Sequence, residues 1–172
     1  GSVTMGHESM TGQINVAMRN AENAERFHLN AFVNRMGRHE LNTVTRHTLA
    51  RKWNAALLTH GEWTDRENDY NEDGFQDNAL RKDLVLRGEL KYRGDRGVRG
   101  EYAVSGVVKE LKSGQVPMVH LLKPWAVDQT VRRMDASAKT GYVFPAHMWR
   151  SIGTQFYVSS HSQRQEFGLR TY

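Results

Sequence analysis

Asp65-Arg66-Glu67-Asn68-Asp69-Tyr70-Asn71-Glu72-Asp73-Gly74-Phe75-Gln76-Asp77 holds the densest carboxylates of the chain and leads into the run from Asp83 to Tyr92. Together these residues divide the sequence. The second part alternates strictly. Asp83, Val85, Arg87, Glu89, Lys91 and Arg93 fall on one face of an extended chain, and Leu84, Leu86, Leu90 and Tyr92 on the other. That pattern predicts an antiparallel strand with one apolar and one wet face. Arg93-Gly94-Asp95-Arg96-Gly97 then closes a hairpin, and Val98 to Leu111 returns. One register sets Leu90 opposite Tyr102 and Lys91 opposite Glu101, which makes an apolar and an ionic cross-strand pair at once.

Outward from this hairpin the periodicity changes. From Thr11 to Met36, residues Ile14, Ala17, Met18, Ala21, Ala24, Ala31 and Phe32 line one helical face, with Gly37 as a stop. A second helix is expected from about Asn42 to His60, with Leu49, Trp53, Ala56 and Leu57 as its apolar stripe. Downstream, Met118 to Leu122 reads as a short strand. Pro124 then opens a third helix carrying Val127, Thr130, Val131, Met134 and Ala138. Tyr142 to Phe144 and Thr154 to Ser160 read as strands, and Gln163 to Tyr172 as a last strand or an arm. The expected fold class is therefore α+β. N-terminal helices pack on an antiparallel sheet, and a third helix is inserted between later strands. Residues 1–172 form one globular domain, with a flexible or appended start over residues 1–10.

Within the acidic loop, Asp69, Asn71 and Asp73 alternate before Gly74, and this resembles the first half of the calcium loop of EF-hands and dockerin-type repeats. The resemblance implies that Asp69, Asn71, Asp73 and Asp77 hold a metal, with Phe75 lending its carbonyl. Leu80 stands where that family has its bidentate glutamate, so the implied site is weak. Asx residues and glycine also build ordinary turns. A second resemblance lies in Glu89-Leu90-Lys91, an E-x-K similar to that of the PD-(D/E)xK nucleases. It implies a magnesium-dependent nuclease in which Glu89, with Asp77 or Asp73 upstream, holds the metal. Lys91 then assists at the phosphate, and Glu22 or Glu25 supplies a further acid. His147, Arg150, Ser159, His161 and Arg164 are the residue types of a metal-independent ribonuclease, at spacings that do not prove convergence.

The chain has 172 residues, 38% of them hydrophobic, and a formal charge of +5. No run approaches the roughly 20 apolar residues of a spanning helix, and no signal peptide opens it, so a soluble protein without a membrane partner is expected. The absence of cysteine excludes disulfides and thiolate metal sites. The positive balance favours an anionic partner, nucleic acid first. Arg87, Lys91, Arg93, Arg96 and Arg99 cluster in one hairpin and are the expected phosphate contacts. The leading expectation is a non-catalytic nucleic-acid-binding module. The magnesium-dependent nuclease comes next, and calcium is the cation expected in the acidic loop. A structural protein of a viral particle or complex, working as a homo-oligomer or larger assembly, is third.

Overall fold

In a computed structural model of the chain, residues 19–116, 124–147 and 149–169 are described. They form seven strands: β1 (Phe27–Val33), β2 (Arg38–Ala50), β3 (Trp53–Thr64), β4 (Leu80–Arg93), β5 (Val98–Gly114), β6 (Trp125–Val143) and β7 (Ser151–Leu169). All pair antiparallel with their sequence neighbours in the order β1 to β7. There is one sheet and no second layer among the described residues.

This corrects the α+β expectation, because no helix occurs among the described residues. The strand Asp83–Tyr92 and its hairpin are present, with Leu90 opposite Tyr102 and Lys91 opposite Glu101. The second expected helix is instead β2, a tight turn at Arg51–Lys52, and β3. Its apolar stripe was a coincidence of spacing across that turn: Leu49 lies before it and Trp53 just after. Thr43, Val44, Thr45 and Thr48 favour the extended chain, where branched side chains avoid crowding the preceding helical turn. The third expected helix is β6. Its supposed stripe divides between two faces, with Val127 and Val131 on one and Met134 and Ala138 on the other. Pro124 is fully buried just ahead of that strand. Of the first expected helix, residues 11–18 lie outside the described residues, as does the whole of the expected strand Met118–Leu122. What remains is a turn at residues 21–24 followed by β1.

The connections differ in length between the two ends of the sheet. Residues 51–52, 94–97 and 144–150 join strands at one end, while the 65–79 and 115–124 segments leave from the other, together with the short 34–37 turn. Gly97 makes the β4–β5 turn possible. Its φ is +83°, and a Cβ there would stand 2.0 Å from the Val143 carbonyl oxygen.

Candidate functional site

Directly opposed residues in an antiparallel pair point to the same side, so the register sorts every side chain onto one of two faces. One face carries Leu84, Leu86, Leu90 and Tyr92 of β4, Val104 and Val108 of β5, Met134, Ala136 and Ala138 of β6, and Phe156 and Val158 of β7. The other carries Glu62, Asp83, Arg87, Glu89, Lys91, Glu101, Lys109, Arg133 and Asp135. Burial is inverted relative to a water-soluble fold. Leu86 is 45% exposed, Val104 59% and Met134 67%, whereas Glu62, Asp83 and Glu89 are 7%, 8% and 6% exposed. Arg or Lys side chains reach each of these three carboxylates.

The charges are matched pair by pair. Near the long connections, Arg38 reaches Glu40 at 2.8 Å and Glu62 at 3.2 Å, and Arg81 reaches Glu62 at 3.6 Å. The Asn42 amide donates to Glu40 at 2.7 Å, and this bond, with Arg38 beside it, holds the Glu40 carboxyl below its ordinary range. Lys109 faces Asp83 across the strands at 3.4 Å. Lys91 lies within 4.0 Å of Glu22, 3.6 Å of Glu89 and 3.4 Å of Glu101. Arg87 sits 3.8 Å from Glu89, and Arg93 3.1 Å from Glu22. Ahead of β1, residues 19–26 turn back onto this face. The Ala21 N–H donates to Glu89 at 3.2 Å and the Arg46 guanidinium donates to the Glu22 carbonyl at 2.9 Å, which leaves Ala21 and Ala24 buried.

Toward β7, the Tyr157 hydroxyl donates to Asp135 at 2.5 Å, and the Arg133 Nε contacts both carboxylate oxygens at 2.9 and 3.0 Å. Tyr157 first, then Ser159 and Arg133, hold the Asp135 carboxyl far below the usual carboxylate range. A depressed carboxylate contributes stability that is complete above its unfolded-state value and is lost only as pH falls through the folded one. The Asp135 contribution therefore persists to more acid pH than that of an ordinary aspartate. Tyr157→Phe should return the Asp135 titration toward its ordinary range in a carboxyl NMR titration. An unmoved titration would show that the hydroxyl is not the principal cause.

Of the residues expected from sequence, Glu22, Glu89 and Lys91 come together, as do Asp69, Asn71 and Asp73 in their loop, but Asp77 does not join Glu89. Asp77 lies beside the sheet end where Gln76 N–H donates to the Gly114 carbonyl, and β4 begins there at Leu80. Glu89 is nine residues further along the strand, about 30 Å away. No group of three or more His, Asp or Glu side chains is placed to hold a metal among the described residues. In the acidic loop the carboxylates accept backbone donors. Asp69 receives Asp73 N–H at 3.2 Å and Gly74 N–H at 2.9 Å, Asp73 receives Phe75 N–H at 2.8 Å, and Asp77 receives Tyr70 N–H at 2.7 Å. Asn71 donates to Asp73 at 2.9 Å. Asp69→Ala should accordingly lower stability by about 1–2 kcal/mol in chelator-treated protein, because two backbone donors lose a charged acceptor. A neutral or stabilising result in thermal melting would contradict that role. His147 and Arg150 occupy the β6–β7 connection, while Arg164 is 13 residues past the start of β7, about 43 Å along the strand.

No family model, curated protein or solved structure matches this chain. The charged face was partly legible, since alternation alone grouped Asp83, Arg87, Glu89 and Lys91. Glu62, Asp135, Arg133 and Tyr157 were missed because β3 and β6 read as helices and β7 as a shorter strand. Their signal was the same period of two, diluted by threonine and alanine.

Proposed function

We propose that this sheet is part of the wall of a transmembrane β-barrel, its apolar face toward lipid and its charged face lining a water-filled interior that hydrophilic solutes traverse. One observation carries this reading. The apolar window lies higher in the last strand than in the first. In β1 it spans Phe27 to Val33, which the register places opposite positions 88 to 82 of β4; in β7 it spans Ile152 to Val158, opposite positions 94 to 88. The intervening windows, Leu84–Tyr92 in β4, Val98–Val108 in β5 and Met134–Tyr142 in β6, fall between these limits or bridge them. Six residues over six strand-to-strand steps is about one residue per strand. With about 3.3 Å per residue and 4.8 Å between strands, that drift corresponds to a strand tilt of about 35°, the tilt of closed barrels. A planar slab of hydrocarbon cuts such a window through tilted strands. From Leu84 to Tyr92 the window is about 26 Å along the strand and about 22 Å across the slab, close to the roughly 25 Å apolar band of such barrels.

Further features agree. Aromatic side chains gather at the ends of the window: Trp53 lies 4.8 Å from Tyr92 and 6.3 Å from Tyr102, Tyr142 packs edge-on to Phe144, and Trp63 stacks on His39 at the far end. Interfacial aromatic girdles flank the lipid-facing bands of membrane barrels, which also carry shorter turns at one end and longer loops at the other. Contiguous apolar surface of this extent, unusual on a monomer in water, needs a partner. No helix among the described residues is long and apolar enough to cross a membrane, but barrels cross with strands, each carrying too weak a signal for the helix criterion. The proposal thus departs from the soluble nucleic-acid reading. Arg87 and Lys91 are paired with Glu89 of their own face, and Arg93 with Glu22 of the turn ahead of β1.

The chain has no cysteine, so single cysteines report cleanly. In lipid vesicles, Leu84→Cys, Leu86→Cys and Val104→Cys should be quenched by acyl-chain probes and resist a charged, water-soluble maleimide. Val85→Cys, Arg87→Cys and Ser105→Cys should behave oppositely. Equal aqueous labelling of both sets would sink the membrane reading.

A further inference from the structure

On the charged face a cavity of about 360 Å³ lies between Glu22, Lys91, Arg93, Arg99, Glu101 and Lys139. Four cations meet two carboxylates there. Register explains the space: Arg99 is opposite Gly141, and Gly141 is opposite Gly153, so that row carries no side chain beyond Arg99. Among the described residues, Arg99 and Lys139 form no ion pair, whereas Lys91 and Arg93 share Glu22. Glu22 belongs to the turn ahead of β1, and its carboxylate enters from outside the sheet. It therefore shows where an anion rests against this wall.

We infer that this cavity binds a small multivalent anion carrying phosphate or carboxylate groups, for which the Glu22 carboxylate is the internal stand-in. The inference rests on the charged face lining an aqueous interior, and it names the class of solute that face receives. Arg93 and Arg99 supply forked donors suited to two oxygens of one phosphate or carboxylate, while Lys91 and Lys139 act as point charges. A bound anion must displace Glu22, so the internal carboxylate weakens apparent affinity by the fraction of time it occupies the site.

The test is calorimetric titration of the detergent-solubilised full chain with inorganic pyrophosphate, which requires no vesicle. One molecule should bind per chain. Glu22→Gln should tighten binding by about tenfold as the internal competitor is removed, whereas Arg99→Gln and Lys139→Gln should each weaken it by about tenfold. Gly153→Leu keeps every charge and fills that space, where a Cβ meets nothing nearer than the Thr140 carbonyl oxygen at 3.7 Å; it should abolish binding. Unchanged or weaker affinity in Glu22→Gln, or full binding by Gly153→Leu, would overturn the site. So would preference for an anionic lipid headgroup in mixed micelles, or steeply salt-dependent binding of an oligonucleotide with none of pyrophosphate. Because the cysteine labelling is read separately, loss of this site and loss of the membrane reading remain distinguishable.

Discussion

Leu86→Arg is expected to destabilise the membrane-inserted protein by about 2–4 kcal/mol, since a guanidinium at the bilayer midplane of a barrel has that cost. In equilibrium terms this is about a thirtyfold to thousandfold loss. Leu86 lies inside the β4 window, one same-face position from its centre at Gly88, with Thr59 and Gly106 beside it in register and Met134 one strand further. The same change at Val85, one residue away and on the charged face, should remain within about 0.5 kcal/mol. Urea unfolding from lipid vesicles measures both. Were Leu86 simply exposed to water, the two variants would behave alike, and that outcome would remove the lipid-facing assignment.

Lys91→Ala should be the most damaging single truncation on the charged face, at about 3–5 kcal/mol. Its side chain is only 14% exposed and separates three carboxylates, those of Glu22, Glu89 and Glu101. Removing it leaves the buried Glu89 carboxylate facing those of Glu22 and Glu101, with Arg87 as its remaining ion-pair partner. By contrast, the Arg164–Glu166 pair lies on β7 with an 81% exposed guanidinium, so Arg164→Ala should cost about 0–1 kcal/mol. A difference of less than about 1 kcal/mol between the two variants in denaturant titration would mean that the buried network is not what holds this face in order.

The β4–β5 hairpin was legible because its alternation is strict and its turn is rich in glycine, and even its register followed from two cross-strand pairs. The rest was obscured by one physical circumstance. Sequence patterns are ordinarily read on the premise that apolar residues turn inward to a core, and here buried Glu62, Asp83 and Glu89 oppose exposed Leu84, Leu86 and Val104. Alanine, threonine and glycine fill many window positions, such as Ala55, Thr59, Gly61, Ala136 and Ala138. They flatten the contrast between the faces until a helical spacing fits by accident. Glu89-Leu90-Lys91 illustrates the consequence for the site. Its acid and base do meet, at 3.6 Å, but as a matched pair within a wall of such pairs. Of the acids expected to complete a metal site, Glu22 stands beside Lys91, whereas Asp73 and Asp77 lie beyond the far end of β4.

The strand count has a consequence of its own. In the meander of seven antiparallel strands among the described residues, β1 and β7 are both odd, so its two edges point the same way. If those edges were bent round to meet, or if an identically oriented copy were abutted, the junction would be a parallel seam. An uninterrupted antiparallel ring instead needs an odd number of additional strands inserted between the edges, because each added strand reverses direction. Parity thus constrains what can complete this wall. A contributor of one, three or five strands leaves every junction antiparallel, whereas one of two or four leaves a single parallel join that cross-linking between edge strands would expose.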